Sequence, residues 1–103
     1  MSARIDTLKS LIEQDPANSR LRYMLAMEMV NMGDREGAVQ AFSDLIAADP
    51  NYSAAYFHGG QTLEKLGRVD EARQMYRKGI AATTANGDMH TCSELQAALD
   101  MLG

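Results

Sequence analysis

The chain has 103 residues, 46% of them apolar, and a formal charge of -4. That length supports one domain with its own core and leaves no room for a second, and the acidic balance argues against binding a phosphate backbone, which needs a clustered positive surface. The single cysteine, Cys92, cannot close an internal disulfide; no N-terminal run resembles a secretory leader and no apolar run approaches a membrane span, so the expected compartment is the cytoplasm.

Helices are expected along the whole chain. Over Ala3–Asp15 the apolar residues Ile5, Leu8, Leu11 and Ile12 form one stripe, with Ser2 as the N-cap and Pro16 as the stop. After an Ala17-Asn18 turn, a second helix spans Ser19–Met32 and ends at Gly33 in a left-handed conformation. Its apolar residues run almost all round, from Leu21 and Tyr23 through Met24, Leu25 and Met27 to Val30 and Met32. A helix apolar on every side is either buried on every side or partly exposed for a purpose. Asp34 caps a third helix, Arg35–Asp49, with Ala38, Phe42, Leu45 and Ile46 facing inward, and Pro50 closes it. A further pair spans Ser53–Leu66 and Val69–Thr84, parted at Gly67. Gly59 and Gly60 lie inside the first of these at a cost of about 1 kcal/mol each relative to alanine, which implies close helix contact. Asn86-Gly87 makes the last turn, and Asp88 caps a helix over Met89–Leu102 with Leu95, Ala98, Leu99 and Leu102 inward and Glu94, Gln96 and Asp100 facing away.

The stretch from Leu21 to Pro50 recurs at an offset of 34 residues, pairing Gly33 with Gly67, Ala38 with Ala72, Phe42 with Tyr76, Ile46 with Ile80 and Met32 with Leu66. Backwards, the same offset pairs Phe42 with Leu8, Ile46 with Ile12 and Pro50 with Pro16. A helix–turn–helix unit of this period resembles the tetratricopeptide repeat. Leu25, Ala26, Met29, Ala38, Phe42 and Pro50 stand at that family's signature positions in the first unit, and Tyr56, Gly60, Leu63, Ala72 and Tyr76 in the second. Arg22, Gly59 and Thr84 depart from it. The resemblance implies an all-α fold of six helices, with antiparallel helix–turn–helix repeats stacked as a short right-handed α-solenoid. Residues 1–16 would be an N-terminal capping helix, 19–50 and 53–84 the repeats, and 88–103 a C-terminal capping helix.

The resemblance also implies a concave groove lined by the first helix of each pair. Carried over, the groove positions are Arg20, Tyr23, Met24, Met27 and Asn31 in the first repeat. Phe57, His58, Gln61, Glu64 and Lys65 follow in the second, with Thr91 and Leu95 on the last helix. Tyr23, Phe57 and the methionines would offer an adaptable apolar trough for a peptide or helix of another protein. Against this stands a purely structural role in which both aromatics stack between repeats. The Lys and Asn clamp with which some members grip a peptide carboxylate is missing, its positions being held by Tyr23, Met27 and His58. Arg20 and Arg22 fit either an anion contact or a solvated pair answering Asp15 or Asp49.

Chemistry is not expected. His58, His90 and Cys92 lack the convergent spacing of zinc ligands. No base is placed beside Cys92, and no phosphate loop or paired-carboxylate motif occurs. The expectation is therefore no enzyme, no metal and no cofactor, but a protein–protein interaction module similar to short stand-alone bacterial tetratricopeptide proteins, contacting neither nucleic acid nor membrane. The alternative is a homodimer or larger self-assembly, with the apolar second helix or the helix bearing Leu95 and Leu99 as the subunit interface.

Overall fold

The computed structural model describes residues 2–103, and among them there are six helices and no strand. These are α1 (Ala3–Gln14), α2 (Ser19–Asn31), α3 (Arg35–Ala48), α4 (Ser53–Lys65), α5 (Val69–Asn86) and α6 (Met89–Leu102). Every predicted boundary holds to within two residues. No helix among the described residues is long and apolar enough to cross a membrane.

Local signals set these ends. Ser2 Oγ accepts from the Ile5 N–H at 3.3 Å, an Asp34 oxygen from Gly37 at 2.9 Å and an Asp88 oxygen from Thr91 at 3.2 Å, each satisfying a donor that the helix itself leaves unpaired. Asn18, expected only as a turn residue, also caps α2 by accepting from Leu21 at 3.2 Å. Gly33 and Gly67, with φ of 81° and 77°, end α2 and α4 in the same way. The next amide reaches back across each turn, Asp34 to the Met29 carbonyl and Arg68 to the Leu63 carbonyl, both at 2.9 Å, which is the double-bonded glycine stop.

One boundary departs from the repeat. Helix α5 was expected to stop at Thr84 and instead runs to Asn86. Pro50, its counterpart after α3, cannot continue a helix, whereas threonine keeps its N–H and carries no ring to clash with the preceding turn. Consequently α4 begins 34 residues after α2, at Ser53 after Ser19, but α6 begins 36 residues after α4, at Met89.

The helices form a short helical-repeat solenoid in which each packs on its sequence neighbours, and α4 also touches α6. Ala26, Met29, Ala38, Phe42 and Leu45 fill the space between α2 and α3. Tyr56, Leu63, Ala72, Tyr76 and Leu95 fill that between α4, α5 and α6, and Ile46 packs against both groups. Helix α2 is apolar all round because α1 lies on one side of it and α3 on the other, so Tyr23, Leu25, Met27 and Val30 are half-buried against the core. Helix α1 has α2 as its main partner. It therefore buries a narrow face, which Leu8 fills, and Leu11, expected inward, is 40% exposed.

Three glycines let helices approach. A Cβ on Gly60 would collide with the Tyr76 ring, and one on Gly79 would lie 2.6 Å from Tyr56 Cβ and 2.8 Å from Leu95 Cδ1. Gly59 faces Phe42 Cβ and Met75 Cε, each 3.4 Å from an added Cβ, where α4 crosses α3 and α5. Contact of that length is ordinary van der Waals distance, so Gly59 is the one of the three that packing does not strictly require.

Candidate functional site

Helices α2, α4 and α6 share one face. On its α2 side an aromatic cluster joins the repeats: the Tyr23 ring lies 5.2 Å from Tyr52, 6.0 Å from His58 and 6.5 Å from Phe42. Phe57 meets His58 edge-on at 5.5 Å. Such tilted and edge-on arrangements align ring edges with ring faces. Burial pushes the Tyr23 phenol up from its ordinary value, with the neighbouring Tyr52 adding to it. Burial also lowers the His58 imidazole, partly opposed by the Glu94 carboxylate. Tyr23 is half-buried and stacks between the repeats, as one of the two roles weighed from the sequence requires.

Between α4 and α6 the face opens into a hollow of about 430 Å³, lined by Phe57, Gln61 and Glu64 on one side and by Glu94, Ala97, Ala98 and Met101 on the other. Met101 is 88% exposed. Behind α4, the Tyr76 hydroxyl donates to the Glu64 carboxylate, a bond possible because Gly60 leaves the Tyr76 ring room against the helix. Burial and this carboxylate together hold the Tyr76 phenol well above its ordinary range. A smaller hollow, about 170 Å³, lies between α3 and α5, where Glu71, Gln74 and Lys78 are among its lining residues.

The expected groove residues therefore separate into groups. Phe57, Gln61 and Glu64 line the hollow, while Tyr23 and His58 form the aromatic cluster beside it. Met24 and Met27 are half-buried on α2, Met27 against the core. Arg20 and Asn31 are exposed at the two ends of α2, Lys65 is exposed at the end of α4, and Thr91 is half-buried with its N–H on Asp88. Leu95 is a correction. Its side chain is fully buried, 0% exposed, in the space left by Gly79, and no ligand on the surface can reach it. Leu95 was carried over as a groove position and also expected on the inward stripe, and the inward place is the one it takes; α6 begins 36 residues after α4, which pairs Gln61 with Ala97, His58 with Glu94 and Lys65 with Met101. Glu94, expected to face away, lines the hollow. A face at i, i+3, i+4 and i+7 from Glu94 to Met101 was present in the sequence, but Glu94 was read as facing away.

The remaining candidates carry less. Arg22 Nε donates to the Pro16 carbonyl at 3.1 Å, and among the described residues neither Arg20 nor Arg22 pairs with Asp15 or Asp49. His90 lies 3.6 Å from Glu94, and Cys92 Sγ 3.6 Å from Thr84 Oγ1. Among the described residues no three His, Cys, Asp or Glu side chains are grouped to hold a metal ion.

Comparison with known proteins places this geometry. The family model for the tetratricopeptide repeat matches residues 23–86. A TPR repeat-containing protein of Pseudomonas aeruginosa, PA0015, is 28% identical over 98 residues, covering 95% of this chain and 93% of that one. The solution structure of a tetratricopeptide repeat domain protein from Salinibacter ruber is 34% identical with a TM-score of 0.80, covering 85% of this chain and 89% of that chain. PcrH, crystallised with the chaperone binding region of PopD, is 21% identical with a TM-score of 0.86, over 95% of this chain and 74% of PcrH, a likeness of fold alone. The chain spans only 22% of the length of the mouse interferon-induced protein with tetratricopeptide repeats 3, to which it is 25% identical over 87 residues. With more than half its length matched by the family model and a Salinibacter relative above 30% identity, the chain belongs to the tetratricopeptide repeat family, whose members are in general protein-interaction modules.

Proposed function

We propose that the α2–α4–α6 face docks a peptide or helical segment of a partner protein, with the α4–α6 hollow as its anchor point. The observation that carries this is an open hollow of about 430 Å³ whose lining includes Phe57, Ala97, Ala98 and a methionine, Met101, left 88% exposed. A flexible thioether that finds no core to join adapts to incoming apolar side chains. Around the hollow, Tyr23, Met24, Met27 and His58 extend an apolar and aromatic margin toward α2, Arg20, Asn31 and Lys65 form its polar rim, and Thr91 borders the start of α6. PcrH, whose fold this chain shares, is held with a segment of PopD, which makes a segment rather than a folded surface the natural occupant. With two repeats the contact is small and the affinity modest.

Capture from lysate tests this. Wild type and Phe57→Glu/Met101→Glu are compared after circular dichroism shows equal helicity. A protein retained by wild type alone supports docking on this face. Equal retention by both refutes it, and recovery of the bait's own untagged copies alone transfers the face to self-assembly.

A further inference from the structure

We propose that the segment taken up by this face is basic as well as apolar, carrying a lysine or arginine within a residue or two of an aliphatic anchor. The inference rests on the docking role proposed for the hollow and adds the chemistry of its occupant. Two carboxylates, Glu64 from α4 and Glu94 from α6, line the hollow together with the apolar side chains of Phe57, Ala97, Ala98 and Met101. Glu64 lines the hollow while its carboxylate also accepts from the Tyr76 hydroxyl, whose ring fits in the gap that Gly60 provides, and this bond restricts where the carboxylate can go.

Among the described residues neither carboxylate pairs with a lysine or arginine. His90 lies 3.6 Å from Glu94 and screens it only when protonated; Lys65 borders a smaller depression with Gln61 and Glu64 without forming an ion pair. Two carboxylates without a lysine or arginine partner, set beside apolar side chains, attract a cation more strongly than either would alone. Lysine and arginine suit both halves of this surface, since their methylene stems lie on apolar ground while the charged head stays at its wet edge. An acidic segment is repelled by the same pair.

The test is selection of a random peptide library displayed on phage against the intact chain, followed by affinity measurement on the recovered peptides. Glu64→Gln/Glu94→Gln removes the charges yet leaves an amide oxygen to accept from Tyr76, and Glu94→Gln alone controls for any effect of that bond on folding. The expected result is enrichment of lysine or arginine next to an aliphatic residue. Loss of both carboxylates should weaken these peptides about fivefold, as two partly exposed ion pairs would, and Glu94→Gln alone should weaken them less. Enrichment of uncharged or acidic peptides overturns the proposal, as does unchanged affinity for the double glutamine variant. If Phe57→Glu/Met101→Glu still abolishes binding in those cases, docking on the face stands and only the basic preference falls. If it has no effect, or no peptide is recovered, both fall.

Discussion

Side by side on α4, Gly59 and Gly60 look alike in the sequence and differ in what they permit. Gly60→Ala drives a methyl into the Tyr76 ring and should lower stability in urea unfolding by about 1–3 kcal/mol, the usual range for overpacking. Gly59→Ala meets Phe42 and Met75 at ordinary distance, so the gain in helix propensity should prevail and raise stability by up to about 1 kcal/mol. A sequence shows that two glycines cost a helix something. Which of them faces a ring is a fact of packing between α4 and α5, and only the structure supplies it. His58 makes a further residue-scale prediction. Its imidazole is lowered in the fold by burial, against the opposing pull of Glu94, so the unfolded chain binds the proton more readily. Stability is then complete above the ordinary value of 6.5 and falls as pH drops through it. The melting temperature should decline on acidification below that value, and His58→Gln should remove that part of the decline; an identical pH profile for the variant would refute the assignment.

At the scale of elements, the caps, turns and inward stripes were legible because they depend on local chemistry: Ser2, Asp34 and Asp88 accept the amides their positions imply, and Ala38, Phe42 and Leu45 are fully buried. The bounds and inward stripe of α6 were legible too, whereas its alignment against α4 was missed, because that depends on where α5 stops. Thr84 carries that information. It stands at the family's proline position, yet it lies inside α5, which continues to Asn86. Restoring the family residue should therefore harm the protein. Thr84→Pro removes a helical hydrogen bond and places its ring against the preceding turn, which should cost about 3 kcal/mol and shift the α6 face that lines the hollow. A stability equal to or above wild type in thermal unfolding would show that α5 ends earlier than described.

For the whole molecule, three of the surface depressions are lined by methionines that can report on them. Met101 belongs to the α4–α6 hollow, Met75 to the one between α3 and α5, and Met29 and Met32 to a third beside α1. The family and the choice of face followed from the 34-residue period, whereas the hollow itself joins residues of α4 and α6 that no short motif connects. The most direct measurement is therefore a methyl NMR titration of methionine-labelled protein with a selected peptide or the captured partner segment. If the α2–α4–α6 face docks that segment, the Met101 signal moves most, Met24 and Met27 move less, and Met75 and Met32 stay in place. Movement centred on Met75 or on Met32 with Met101 unchanged would contradict docking at this face.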